Sequence, residues 1–440
     1  MKIMKFGGTS VGSPARMRNL IPLINYGEKK IVVLSAMSGT TNALVGIADL
    51  LYANKPAEAS QKTEELRSKY HQVIAELFNT EEFRQKGLDL VNSHFDHVNS
   101  FTLTAFTVLH EKSILAQGEL ISTALFYLLL QEEKIRSVLL PALNFMRIDK
   151  DNEPDAFYIA ENLERELSGY PDEEIIITQG FICRNAYGEI DNLKRGGSDF
   201  TASLLGAAVN ASEIQIWTDI NGFHNNDPRY VDNTRVIREL SFDEAAELAY
   251  FGAKILHPSS VNPARMKNIP VRLKNTMDPE DVGTLISSKC VFEDYKAVAA
   301  KDGITAVRIR SDRMLMAYGF LRKVFEIFEA YKTPIDMITT SEVSLSLTID
   351  NSKSLDIILK ELREFGSVEI EEDQTIICVV GDFRPDRQGS APEIFEALDS
   401  IHLKMISYGG SPHSISLLID TKDKIESLKL LSKHLFPEEK

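Results

Sequence analysis

Only three cysteines occur in the 440 residues, Cys183, Cys290 and Cys378. They are too few and too scattered for a disulfide framework or a zinc site, and this fits a reduced, cytoplasmic setting. Basic charge is also short. The 49 Lys and Arg face 64 Asp and Glu, a formal net charge of −15. That balance argues against general nucleic-acid or anionic-membrane partners, while leaving room for a local basic pocket for phosphates. Long apolar runs are missing as well. The longest, around Leu120 to Leu130, is interrupted by Ser122 and Thr123 and reads as too short to span a bilayer. The first residues read as a strand, not as a charged stretch leading into a signal-type apolar segment. Two familiar glycine fingerprints are absent from the opening, since its glycines fit neither G-x-x-x-x-G-K-[ST] nor G-x-G-x-x-G.

What the opening does contain is M-K-I-M-K-F-G-G-T-S-V-G-S, a short apolar strand running straight into Gly7 and Gly8. Paired glycines after a strand let backbone N–H groups approach an anion. Lys5, at the strand end, adds a cation of the kind a transferring phosphoryl group needs. Further strand-like runs at 31–36, 135–140, 175–182, 213–219 and 269–273 alternate with helical segments. This predicts an α/β sandwich with a mostly parallel central sheet and ligands beyond the carboxyl ends of its strands. The segment from about 53 to 130 reads as a helical insertion with charged faces, most of it without chemistry. From about 291 the rhythm changes to βαββαβ, an α+β unit of the ferredoxin-like kind. Within it, 319–331 is a helix whose expected buried face carries Leu321, Val324, Phe325 and Phe328. The pattern restarts at 375, and the M-I-T of 337–339 and M-I-S of 405–407 mark a weak internal repeat. The second unit lacks its last strand, and a spare strand at 296–301 is expected to complete it. The domains then read 1–290, 302–373 and 374–440, the last two interlocked.

Several clusters carry possible chemistry. In L-S-A-M-S-G-T-T-N (34–42) hydroxyls and amides crowd around Gly39, suiting either an anion or a helix N-cap. In L-K-R-G-G-S-D-F-T-A (193–202), Arg195 beside a Gly-Gly turn could grip a carboxylate, and Asp199 either caps the next helix or orients Lys5. W-T-D-I-N-G-F-H-N-N-D-P-R (217–229) offers polar edges and an Arg for a nucleotide, with Trp217 itself a core residue. F-G-A-K-I-L-H-P (251–258) ends a helix on Lys254, whose charge suits a helix C-terminus or a phosphate. Glu119, in Q-G-E-L, reads by itself as an acid on a solvated helix face.

Together K-F-G-G-T-S-V, S-A-x-x-G-x-T-N, Q-G-E-L, R-G-G-S-D, W-T-D, D-P-R, F-G-A-K-I-L-H-P and T-T-S-E-V-S (339–344) resemble, in order and over nearly the whole chain, the aspartate kinases of the amino-acid kinase family. The likeness is to the single-function, lysine-sensitive type with two C-terminal ACT domains. It implies ATP-dependent phosphorylation of the side-chain carboxylate of L-aspartate to 4-phospho-L-aspartate. Lys5 and Asp199 would be catalytic. Lys5, Phe6, Gly7, Gly8, Thr218, Asp219, His224, Arg229, Lys254 and Ile255 would hold ATP, with Gly7 and Gly8 supplying amides. Ser35, Thr41, Glu119 and Arg195 would hold aspartate, Glu119 at its ammonium and Arg195 at its α-carboxylate. Mg²⁺ would ride mainly on phosphates and water. Met314, Ala317, Gly319, Phe320, Leu321, Pro334, Ile335, Asp336, Ser341 and Glu342 would form an L-lysine effector site, in a homodimer built through the ACT domains. The chain departs from the family pattern at Lys194, where Gly is common, and at His224-Asn225-Asn226, where Tyr followed by Thr or Ser is common. It departs again at Ala317, Pro334 and Ile335, where Ser, Ser and Val are common. The rival readings are another amino-acid kinase, of the glutamate or carbamate type, and a non-catalytic amino-acid sensor.

Overall fold

A computed structural model of the chain describes residues 1–193, 196–252, 256–289, 293–314, 318–384 and 390–437. They form two compact units. One comprises Met1–Phe223, Arg238–Phe242 and Leu256–Cys290, and the other His224–Ile237, Asp243–Ile255 and Val291–Lys440.

The first unit is built on the apolar runs. Its chain order begins β1 (Lys2–Phe6), α1 (Pro14–Ile24), β2 (Lys30–Leu34), α2 (Thr40–Tyr52), α3 (Pro56–Leu77), α4 (Glu81–Ser100), α5 (Val108–Glu132), β3 (Val138–Leu139) and α6 (Ala156–Ser168). It continues with β4 (Ile175–Gln179), the hairpin β5 (Ile182–Arg184) and β6 (Ile190–Asn192), α7 (Gly197–Ala208), β7 (Glu213–Thr218) and β8 (Glu239–Ser241). After α8 (Phe242–Tyr250), which from Asp243 onward belongs to the other unit, come α9 (Asn262–Met266), β9 (Val271–Asn275) and β10 (Thr284–Ser287). The sheet order is β3-β4-β2-β1-β7-β9-β10-β8, parallel throughout except between β9 and β10. Every residue of β2 and β4 is buried, as strands covered on both faces require. Strands β1, β2, β4 and β7 pair in register and point the same way, so their carboxyl ends share one edge.

The insertion forms α3, α4 and α5, whose apolar residues join one core with α1 and α2. Helix α5 runs well beyond the apolar stretch visible in the sequence. Its 25 residues have the length and composition to cross a membrane, but 72% of its apolar window is buried inside the unit.

Lys30 is fully buried at the start of β2. Its ammonium donates to Ile24 O at 2.8 Å and Tyr26 O at 2.5 Å, closing the carbonyl end of α1. It also lies 3.6 Å from the Tyr26 ring centroid.

The second unit carries β11 (Tyr295–Arg310), α10 (Phe320–Ala330), β12 (Ile338–Thr340), β13 (Ser344–Ile349), α11 (Leu355–Leu362), β14 (Ser367–Gly381), α12 (Ser390–Ala397), β15 (Met405–Ser407), β16 (Ser414–Asp420) and α13 (Lys424–Leu435). Its sheet order is β12-β13-β11-β14-β16-β15. The sequence suggested a spare strand followed by separate strands. Instead β11 and β14 are single long strands, and each serves both halves of the repeat. They pair along almost their whole lengths, with register shifts around Lys301/Ile304 and Ile304/Ala306. Left-handed residues at Gly303 (φ 76°) and Asp373 (φ 52°) bend the ladder there without ending it. The face of α10 also differs from expectation. Phe320, Val324, Ile327 and Phe328 are buried, while Leu321 and Phe325 are 38% and 40% exposed.

The second unit is not confined to the chain after 290, because two earlier segments, His224–Ile237 and Asp243–Ile255, belong to it as well. Val298 N donates to Asn225 O at 2.8 Å, Asn226 Nδ2 to Leu428 O at 2.9 Å, and Lys296 pairs with Glu244 at 3.0 Å, both side chains 1% exposed.

Lys30→Met would leave the Ile24 and Tyr26 carbonyls without their donor. The expected loss is about 2 kcal/mol of unfolding free energy, read as a lower urea midpoint at unchanged slope. An unchanged midpoint would mean that water replaces the ammonium.

Candidate active site

The shared strand edge opens on a cavity of about 390 Å³ lined, among others, by Lys5, Gly8, Ser35, Thr41, Glu119 and Asp199. Each reaches it from a different element. Lys5 comes from the end of β1. Gly8 follows at once, where a Cβ would lie 2.9 Å from Ala36 O, so only glycine fits. Ser35 and Thr41 flank the turn between β2 and α2, and Gly39 at φ 81° makes that turn possible. Asp199 sits in the first turn of α7. The cap of that helix is Gly196, with no side-chain bond. The Asp199 carboxylate is therefore free for Lys5, and the two meet at 2.6 Å with each side chain 12% exposed.

Glu119 is not on a solvated face. It is 3% exposed, in the middle of α5, where Gly118 lets the helix come down on Ala36, a Cβ at 118 lying only 2.8 Å from the Ala36 Cβ. Its Oε1 accepts from Ala36 N at 3.1 Å. Its Oε2 is buried without a hydrogen-bond partner among the described residues.

Other expected residues stand apart from the cavity lining. The Gly7 N–H, expected at the anion, donates to Trp217 O at 3.1 Å, so the fold uses it. Phe6 is buried and stacks on Trp217 at 5.7 Å between centroids. The Thr218 hydroxyl donates to Asp219 Oδ1 at 3.1 Å, and the Thr218 carbonyl is taken by Thr276. His224 and Arg229 belong to the second unit. There His224 Nδ1 meets Thr234 Oγ1 at 3.0 Å, and Arg229 forks onto Asp227, its own turn neighbour, at 2.6 Å. Arg195, Lys254, Ile255 and Ala317 lie outside the described residues.

Sequence reading missed Phe181. It lines the cavity and holds φ 66°, a left-handed backbone rare for an aromatic residue. The neighbouring glycine of Q-G-F was the available signal. A Cβ at Gly180 would lie 2.5 Å from Ser198 Oγ, so the chain turns sharply to let α7 approach.

A profile of the amino acid kinase family matches residues 1–275, and an ACT domain profile matches residues 377–435. Lysine-sensitive aspartokinase 3 of Escherichia coli is 34% identical over 447 residues, covering 99% of both chains. The chain belongs to the aspartokinases of the amino acid kinase family. The crystal structure of E. coli aspartokinase III in complex with aspartate and ADP, in the R-state, superposes with a TM-score of 0.86 at 33% identity, covering 99% of this chain and 100% of that one. The same protein with lysine and aspartate, in the T-state, gives 0.82 over 99% of each.

Burial dominates the electrostatics of Glu119 and raises its pKa to about 7, against a weaker lowering by the Ala36 amide. The folded chain therefore holds a proton there that the unfolded chain releases near pH 4.5. The resulting stability is fully present below pH 4.5 and is lost as pH rises through about 7. Urea unfolding at pH 5 and pH 8 should show wild type losing about 3 kcal/mol relative to Glu119→Gln. A constant difference between the two proteins would place an unmapped cation beside the carboxylate.

Proposed function

We propose that the cavity binds L-aspartate and that the enzyme transfers the γ-phosphoryl group of ATP to its side-chain carboxylate. One observation carries this reading. The Lys5–Asp199 pair and the buried, half-satisfied Glu119 carboxylate face a single cavity. A carboxylate is already a nucleophile, so the reaction needs positioning and charge neutralisation rather than a strong base. In this reading Lys5 neutralises charge on the transferring group, held at the right place by Asp199. Glu119 takes the substrate ammonium on its free oxygen, and that contact favours the ionised carboxylate. Ser35 and Thr41 offer hydroxyls to the reacting end, and Arg195 takes the α-carboxylate. Thr218, Asp219, His224, Arg229, Lys254 and Ile255 are assigned to the nucleotide, which requires Arg229 to exchange Asp227 for phosphate. Among the described residues no group of three or more His, Cys, Asp or Glu is arranged to hold an ion. Mg²⁺ is assigned to the nucleotide phosphates and water, the ligands that ion ordinarily keeps. The compartment proposed is the cytoplasm.

The regulatory assignment is L-lysine, bound in the first half of the repeat. Asp336 precedes β12, and its side chain is fully buried. It accepts from Lys301 at 2.7 Å and from the Tyr250 hydroxyl at 2.5 Å, while its Oδ2 has no hydrogen-bond partner among the described residues. Lys301 also pairs with Asp350 at 2.9 Å. An unfilled buried carboxylate oxygen is a seat for an ammonium group. In the second half the corresponding residue is Lys404, which pairs with Glu371 and Asp420 at 2.6 Å each. Each half of the repeat thus holds one ammonium between two carboxylates, but at the equivalent position the first half has the carboxylate of Asp336 and the second the ammonium of Lys404. Gly319 opens α10 with φ 82°. The exposed Leu321, Phe325, Ile338 and Val343, with the open edge strand β12, supply an apolar surface for a homodimer through the ACT sheets.

ADP release from Mg-ATP should be strong with L-aspartate and weak with L-glutamate. Lys5→Ala should keep nucleotide binding and lose turnover by about three orders of magnitude. Near-normal turnover in that variant, or a preference for glutamate, would overturn the reading. L-Lysine should suppress the aspartate reaction, and Asp336→Asn should raise the half-inhibitory concentration at least about tenfold. Equal inhibition of both proteins would remove Asp336 from the effector site.

A further inference from the structure

We propose that Tyr70, on the helical insertion, is a positioning residue for the substrate. It fixes the turn that forms one wall of the cavity, and through it the preference for a four-carbon over a five-carbon acid. This rests on the aspartate reading of that cavity.

The turn in question joins β2 to α2. Ser38, Gly39, Thr41 and Asn42 all line the cavity. Thr40, in their midst, does not, and is completely buried. Helix α2 starts from Gly39 in the left-handed region, with no side chain closing its N-terminus. A glycine-led helix start without a side-chain cap is held weakly by its own residues. Something else must hold this one, and α3 does. The Tyr70 hydroxyl lies 2.8 Å from Thr40 Oγ1. From the preceding position on α3, the Lys69 ammonium donates to Ser38 O at 3.5 Å.

Thr40 is gripped from the other side as well. A Cβ on Gly118 of α5 would sit 3.5 Å from Thr40 Cγ2, one residue before Glu119. The methyl of Thr40 therefore packs on α5 and its hydroxyl points to α3. A shift of Thr40 would move Gly39 and Thr41 relative to Glu119, the two sides between which the proposed substrate is held.

The pair has no evident purpose as core packing. Tyr70 is 1% exposed, and its ring packs on Phe95 at 5.6 Å between centroids. Replacing both hydroxyl groups by apolar groups of the same shape would fill this space at little or no cost. What a hydrogen bond adds over a Phe–Val contact is direction and distance. A cavity that must reject one extra methylene by size needs a wall that does not yield, and such discrimination is worth only about 10–200-fold even when the wall holds.

Kinetics of Tyr70→Phe and Thr40→Val test this, with thermal unfolding to verify that both fold. The expected result is a KM for aspartate raised about tenfold in each, with the KM for ATP unchanged. The ratio of kcat/KM for aspartate to that for glutamate should shrink. The double variant should be no worse than either single, because no hydroxyl is left without its partner. Folded single variants with wild-type aspartate KM and wild-type preference would overturn the proposal and leave Tyr70 a core residue. A wild type that turns over no aspartate would instead overturn the reading of the cavity, and this proposal with it. The two failures are thus told apart by the wild-type control.

Discussion

The site depends on how closely backbones approach one another at the carboxyl edge of the sheet. Gly8 comes within reach of the Ala36 carbonyl, Gly118 lets α5 settle on the Ala36 side chain, and Gly180 lets α7 bring Ser198 against the end of β4. A side chain at any of these positions would meet a neighbour at 2.9 Å or less. With the glycines in place, five separate segments of the chain converge on one cavity. Lys5, Glu119 and Asp199 then face it as a consequence of where their elements must lie. The parallel register of β1, β2, β4 and β7 makes the convergence possible, since all four strands end on the same side.

That geometry sorts the charges. Lys5 and Asp199 neutralise each other at the wall, so the cavity can accept an anion without an isolated buried cation beside it. Glu119 is left half-satisfied in a dry place, and its raised pKa records the cost of that arrangement. A substrate bearing both an ammonium and carboxylates completes the set. The chemistry asked of the protein is small, because the nucleophile comes with the substrate. Most of the rate enhancement must then come from holding groups in place, and for that reason the packing behind the cavity wall matters as much as the wall itself.

Much of this was legible in the sequence. The buried strands announce themselves as short apolar runs, and the Gly-Gly turns after Lys5 and before Asp199 mark the ends of the elements that meet. What was not legible has physical causes. The buried face of α10 is set by which side meets the sheet, and a helix with apolar residues at 320, 321, 324, 325, 327 and 328 fits two orientations equally well. Gly7 looked like an anion donor because a sequence does not show that β7 lies alongside and takes its N–H. Glu119 looked solvated because one acid among apolar neighbours carries no mark of the partner surface. Tyr70 read as part of a chemically silent insertion, since its hydrogen bond spans 30 residues. In each case the missing information was a non-local contact rather than a local preference.

The same consideration bears on regulation. Residues 224–237 and the part of α8 from Asp243 onward follow kinase-type motifs in sequence, yet they pack as part of the ACT-containing unit. Lys296 of β11 is locked to Glu244 of α8 in a buried pair, Val298 of the same strand holds Asn225, and Tyr250, at the end of α8, donates to Asp336. Breaking a buried ion pair by moving one partner alone is expensive, so β11 and α8 must move together or not at all. On the proposed reading, the effector's carboxylate and the segments that meet the nucleotide belong to one packed body. An effector that binds one arrangement of that body better than another then changes the nucleotide side through differential affinity alone. On that reading no separate signalling element is required, because Tyr230 and Val231 share a core with the regulatory sheet.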